Sequence, residues 1–193
     1  DEFINETLTL SIRAAGAAGK SLIVALASSD DELHITSKED GSLVSDADYA
    51  SDKIITKILS PLGIPILSEE AIIPSFEDRK DWPYYFLIDP LDGSESFLKN
   101  RSGFTVNIAL CDSTGPIIGV VADPLSNMIY AGAMGKGFSI YQLDGTSIKT
   151  IHSNTIKKPY RLVTSCDEQG ELEDLLPPGI HTTDVIASPV SGA

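Results

Sequence analysis

Two carboxylates three positions apart, Asp89 and Asp92, stand between an apolar run and a glycine turn in Phe86-Leu87-Ile88-Asp89-Pro90-Leu91-Asp92-Gly93-Ser94-Glu95-Ser96-Phe97. Carboxylate oxygens are hard donors of the kind Mg²⁺ prefers. A helix opening at Ser94 would present N–H groups that have no partner within the helix, and such an end attracts phosphate. Carboxylates and phosphate repel one another unless cations lie between them. The stretch therefore points to a Mg²⁺-type site that handles a phosphate ester. Asp-Pro and Asp-Gly are also ordinary turn dipeptides, so a plain loop stays open as the alternative. An EF-hand is excluded, because with Gly93 at the sixth loop position Ile88 would fall at position one and Lys99 at position twelve.

Other acidic and hydroxyl residues could join this stretch. Glu69-Glu70 follows the short apolar approach 64–68. A strand ending there would carry Glu69 toward Asp89, and Glu69, Asp89 and Asp92 would supply three hard oxygens to Mg²⁺, with water completing the octahedron. The alternative is a solvated acidic turn. Ser45-Asp46-Ala47-Asp48 opens a helical segment. Its acids suit the positive helix end as simple capping residues. A carboxylate that takes a proton through a hydroxyl such as Ser94 could instead activate a metal-bound water. The Asp-x-Asp spelling also suggests an aspartyl-phosphate nucleophile, but the preceding 41–45 is a poor hydrophobic strand. Lys38, Lys99 and Arg101 are either solvated or available to neutralise phosphate.

The elements that must position these groups follow from periodicity. Apolar residues at helical spacing predict a helix over 3–27, with Gly16 and Gly19 marking close packing within it. A second helix is expected over 46–59, capped by Ser45 or Asp46, with Tyr49, Ile54, Ile55, Ile58 and Leu59 on its apolar face. The run 84–88 predicts a buried strand that stops at Pro90, which has no N–H for a ladder. A charged loop over 73–83 precedes it. Strands 104–111 and 117–122 form a hairpin, and 128–133 with 137–143 form another. A strand–helix–strand unit then occupies 160–165, 169–176 and 180–187. The order suggests α+β followed by α/β, in an N-terminal metal-binding domain over 1–154 and the start of a C-terminal α/β domain over 155–193. No helix covers the last strand, so that second unit is expected to be truncated.

The chain has 193 residues and a net charge of −14, with 42% hydrophobic content. This supports a packed core and argues against a nucleic-acid binder, which needs a basic surface. No apolar run is judged to approach ~20 residues, so no transmembrane helix is expected. The acidic N-terminus lacks a signal-peptide pattern, and a cytoplasmic protein is expected. Cys111 and Cys166 make no disulfide framework, and His34, His152 and His181 show no zinc spacing.

Taken together, Lys38-x-Asp40, Val44-Ser45-x-x-Asp48, Leu67-Ser68-Glu69-Glu70 and Asp89-Pro90-Leu91-Asp92-Gly93-Ser94 resemble the lithium-sensitive, Mg²⁺-dependent inositol monophosphatase superfamily. The longer wording through Phe97, Gly103-Phe104-Thr105-Val106-Asn107-Ile108-Ala109-Leu110 and Ile118-Gly119-Val120-Val121-Ala122-Asp123-Pro124 is most similar to its 3′(2′),5′-bisphosphate nucleotidase branch. The resemblance implies a layered α-β-α-β-α sugar-phosphatase-like fold. It implies that Glu69, Asp89, Asp92 and the Leu91 carbonyl ligate metal, and that Glu70 holds a metal-bound water. Asp48 and Ser94 would polarise the attacking water, while Gly93 and Ser94 present N–H groups to phosphate. Two or three Mg²⁺ ions per complete site are implied. The preferred substrate is 3′-phosphoadenosine 5′-phosphate, giving AMP and phosphate. Inositol monophosphate hydrolysis and a catalytically incomplete metal-binding fragment are the alternatives. The family's later Trp-Asp motif has no counterpart in these 193 residues.

Overall fold

In the computed structural model, residues 2–27, 35–37, 43–100, 103–151, 162–165 and 185–188 are described. Helix α1 (Glu2–Ala27) is followed by a hairpin of β1 (Ile35–Ser37) and β2 (Leu43–Ser45). Helix α2 (Asp46–Leu59) runs into a 3₁₀ turn, Ser60–Leu62. Gly63 closes that turn in the left-handed region at φ 66°. Then come β3 (Ile66–Ser68), α3 (Phe76–Arg79), β4 (Tyr85–Asp92) and α4 (Ser94–Asn100). An antiparallel meander follows: β5 (Thr105–Asp112), β6 (Gly115–Asp123), β7 (Met128–Ala133), β8 (Gly137–Gln142) and β9 (Ser147–Ile151). Strands β3 to β9 lie in sequence order in one seven-stranded sheet. Only its β3–β4 pairing is parallel.

Alternation along the strands gives this sheet a core face. Phe86, Ile88, Val106, Ile108, Leu110, Ile118, Val120 and Ile129 are buried together with Ile12, Ala15 and Leu22 of α1 and Ile55 and Leu59 of α2. Each large apolar side chain so removed from water contributes about 1.5–3 kcal/mol. Helix α1 approaches the sheet closely through its small residues. A Cβ added to Gly16 would lie 2.3 Å from the carbonyl oxygen of Leu143, so the glycine permits contact that any side chain would block. Gly19 is similarly close to Leu143 and Pro124 side chains.

Several expectations are corrected. Helix α1 is long and apolar enough to cross a membrane by length and composition. Its alanines and aliphatic residues raise its hydropathy and its charges are few, but its buried residues pack it as the core helix of this sheet. Tyr49 is 49% exposed, so it lies off the apolar face of α2. Strand β4 does not stop at Pro90 but continues to Asp92. The register slips between Asp89 and Asp92, and this bulge accommodates a residue with no N–H to donate. The 73–83 loop contains the one-turn helix α3, capped by Ser75. Strand β9 forms where the sequence predicts no strand, because its alternation is short and polar.

Two further strands, β10 (Leu162–Ser165) and β11 (Val185–Ser188), pair in parallel as a separate sheet. Parallel pairing is what a strand–helix–strand unit requires. The helix expected over 169–176 lies outside the described residues, as do Lys38, Asp40, Arg101, Cys166 and all three histidines.

Candidate active site

Helix α2 brings the separate motifs together. Ser45 is its N-cap, and the Ala47 N–H donates to Ser45 Oγ at 3.2 Å. Asp48 closes a capping box: its Oδ2 accepts from Ser45 N at 2.8 Å and from Ser45 Oγ at 2.7 Å. Its other oxygen, Oδ1, accepts from Ser94 Oγ at 2.8 Å. Asp48 is 1% exposed, so the carboxylate is committed to these hydroxyl and N–H donors rather than to bulk water. Farther along the same face, Ser51 Oγ donates to the Pro90 carbonyl at 2.6 Å. Asp52 Oδ1 accepts from Ser68 Oγ at 2.5 Å. Positions i, i+3 and i+4 share a helix face, so residues 48, 51 and 52 attach the ends of β3 and β4 to one surface.

The bulge in β4 decides where its acids point. In an uninterrupted strand, residues three apart face opposite sides. Here Asp89 pairs with Asn107 while Asp92 pairs with Thr105, a slip of one residue. Thr105 and Asn107 are two apart on β5 and share a face, so both aspartates come to that face. Asp92 Oδ2 accepts from Asn107 Nδ2 at 3.2 Å and from Thr105 Oγ1 at 3.4 Å. Asp89 Oδ1 accepts from Leu91 N at 3.2 Å. Gly93 then turns the chain at φ 85°, a left-handed conformation suited to glycine, and α4 begins at Ser94. Phe97 anchors this turn edge-on to Phe104, with ring centroids 5.0 Å apart. Ser94 Oγ also lies 2.8 Å from the Leu91 carbonyl. Its single proton serves either that carbonyl or Asp48 at one time.

The carboxylates act on one another electrostatically. Burial pushes the Asp89 carboxyl up to about 7, and the charges of Glu69 and Asp92 add to the shift. Among the described residues, no three His, Cys, Asp or Glu side chains form a ready metal cage. The set fits hydrated Mg²⁺ instead: its donors are hard oxygens, its negative charges are crowded, and Mg²⁺ commonly keeps several waters and uses one or two protein carboxylates. Glu69, Asp89 and Asp92 are the side chains that would hold such an ion. The adjoining cavity is about 800 Å³, with Ser68, Glu69, Arg79, Asp89 and Asn107 among its lining residues.

Glu69 is exposed at the end of β3, where its N–H donates to the Ile88 carbonyl at 3.2 Å, and Glu70 is half-buried beside it. Thus Asp48 and Ser94 meet directly, while Glu69, Asp89 and Asp92 converge as an interacting set. Glu95 forms an exposed ion pair with Lys99. Sequence reasoning missed Ser51, Asp52, Thr105 and Asn107. Helical spacing from Asp48 could have found the first two, and strand alternation opposite the two aspartates could have found the others.

The sequence matches the model of the inositol monophosphatase family over residues 4–173. It is 38% identical over 159 residues to the 3′(2′),5′-bisphosphate nucleotidase CysQ of Shigella flexneri, covering 81% of this chain and 63% of that relative. The fold is shared with CysQ from Bacteroides thetaiotaomicron, described as a bacterial member of the inositol monophosphatase family. That superposition has a TM-score of 0.71 at 22% identity and covers 97% of this chain and 74% of that chain. It is also shared with an IMPase/NADP phosphatase complexed with Mg²⁺ and phosphate, with a TM-score of 0.56 at 18% identity, covering 80% of this chain and 61% of that chain.

Proposed function

The chain belongs to the inositol monophosphatase family, and from that membership we propose that it carries the metal-binding side of a Mg²⁺-dependent phosphomonoesterase. The preferred substrate is 3′-phosphoadenosine 5′-phosphate, whose 3′-phosphate would leave as inorganic phosphate to give AMP. The observation that carries this reading is the 2.8 Å contact between Ser94 Oγ and Asp48 Oδ1 beside the interacting acids. The substrate choice is supported by similarity to the Shigella flexneri nucleotidase.

Glu69, Asp89, Asp92 and the Leu91 carbonyl would hold metal, and Glu70 would bind a water associated with it. Bound Mg²⁺ would supply charge stabilisation to the phosphoryl and departing oxygens. Ser94 orients the attacking water and passes a proton toward Asp48 Oδ1. The capping contacts of Asp48 Oδ2 keep that acceptor in place. The backbone N–H groups of Gly93 and Ser94 would contact the phosphate. The bond to phosphorus forms from the water oxygen as the bond to the ester oxygen breaks, with the departing oxygen taking up a proton.

Phosphate release from 3′-phosphoadenosine 5′-phosphate and from inositol monophosphate tests the reading. Release is expected to require Mg²⁺, to be faster with the nucleotide and to vanish in Asp92→Asn. Faster turnover of inositol monophosphate would defeat the substrate choice. The chain spans 63% of the Shigella flexneri relative. Calorimetric Mg²⁺ binding with no phosphate release would therefore favour a second reading, a metal-binding portion that needs additional chain for turnover.

A further inference from the structure

Asn107 occupies a central strand between Val106 and Ile108, where an amide side chain is poorly suited to strand packing. It faces the cavity opposite Asp89, and its Nδ2 donates to Asp92 Oδ2 at 3.2 Å. Its own Oδ1 is buried with no hydrogen-bond partner among the described residues. The amide keeps the orientation that serves Asp92 although its acceptor is left unsatisfied. Thr105 Oγ1 donates to the same carboxylate oxygen at the longer distance of 3.4 Å. Both donors therefore converge on one oxygen and restrict rotation of the acid.

We propose that Asn107 is a positioning residue for Asp92: its amide fixes the carboxylate rotamer that meets the divalent cation, with Thr105 as the weaker second support. This rests on the reading of Asp92 as a metal ligand. Asn107 touches neither substrate nor reacting atoms in this assignment. Groups that orient metal ligands commonly contribute 10–100-fold to metal affinity.

A structural asparagine and a positioning asparagine behave differently when replaced by leucine. Asn107→Leu removes the donor to Asp92 and also removes the buried unsatisfied oxygen. The fold should then be as stable as before or more so, while cation binding weakens. Mg²⁺ titration calorimetry on the 193-residue chain, with urea midpoints measured in parallel, separates the two. About tenfold or more weaker Mg²⁺ binding, with an unchanged or raised midpoint, is expected for Asn107→Leu. Thr105→Val should show a smaller loss and provides the deciding comparison if Asn107→Leu folds poorly. In that event, Thr105→Val binding Mg²⁺ like wild type overturns the assignment. Wild-type binding combined with an Asn107→Leu affinity within about twofold overturns it and leaves the metal reading intact. Absence of Mg²⁺ binding by wild type overturns the metal reading and this assignment together.

Discussion

Asp48→Asn tests whether one carboxylate joins helix capping to the active-site turn. The acid accepts from Ser45 N, Ser45 Oγ and Ser94 Oγ at 2.8, 2.7 and 2.8 Å. If the asparagine oxygen stays with Ser94, its NH₂ faces the Ser45 N–H, donor against donor. Ser45 Oγ can rotate to accept from the new amide, but the backbone N–H cannot adapt in that way. Hydrogen bonds to charged groups contribute about 1.5–3 kcal/mol, and a lost N-cap interaction costs about 0.5–2 kcal/mol. The terms overlap, so about 2–3 kcal/mol of destabilisation is expected. Ser45→Ala should cost about 1 kcal/mol. Ser94→Ala should cost a similar amount, about 1 kcal/mol, because water can reach its half-buried site. Urea unfolding followed by far-UV circular dichroism measures all three. An Asp48→Asn loss below about 0.5 kcal/mol, or a larger loss in Ser94→Ala, would refute the claim that the capping contacts dominate. A double-mutant cycle between Asp48→Asn and Ser94→Ala should also show coupling.

Ser94→Ala is expected to lower Mg²⁺-dependent phosphate release by about 10²–10⁴-fold while leaving the folded chain largely intact, as turnover assays at matched folded fraction will show. At a Mg²⁺ concentration ten times the dissociation constant, wild type should gain about 1.4 kcal/mol in denaturation experiments, and Asp92→Asn should lose most of that gain. Gly16→Ala gains about 1 kcal/mol of helix propensity, but its Cβ would lie 2.3 Å from the Leu143 oxygen, so overpacking should win and the urea midpoint should fall. Gly19→Ala meets movable side-chain atoms and should be closer to neutral. Burial is the first cause pushing the Cys111 thiol up, with Asp112 adding to it and the Tyr85 hydrogen bond opposing it. Native Cys111 should therefore resist iodoacetamide at mildly alkaline pH and label readily after denaturation, as peptide mass mapping will report.

The helices and most of the meander were legible because burial repeats at their natural periods. Helix α2 followed its capping residues, and β5 to β8 followed alternation and turn chemistry. The sequence predicts a shorter β4 because Pro90 normally ends a ladder, whereas the bulge removes the need for its missing donor. Residue type and motif order single out Asp48, Glu69, Asp89, Asp92 and Ser94 as candidate site residues, and the fold brings Asp48 into contact with Ser94. Ser51, Asp52, Thr105 and Asn107 are not singled out in this way, because their contribution lies in hydrogen bonds between distant segments. A serine or asparagine in isolation gives little sign of such a partner. Tyr49 departs the other way: an aromatic near helical spacing predicts an inward side chain, but it projects outward.

The one-residue slip in β4 makes the motif sensitive to insertion and deletion in a way that residue identity does not reveal. Replacing Pro90 or Leu91 with another side chain preserves the number of backbone steps between Asp89 and Asp92. Removing either residue leaves the acids two apart, the spacing that regular alternation already places on one face, so the bulge itself is what is lost. Point variation and length variation at the same two positions therefore have different consequences: the first alters packing, while the second takes away the bend that the bulge gives the strand ahead of the Gly93 turn.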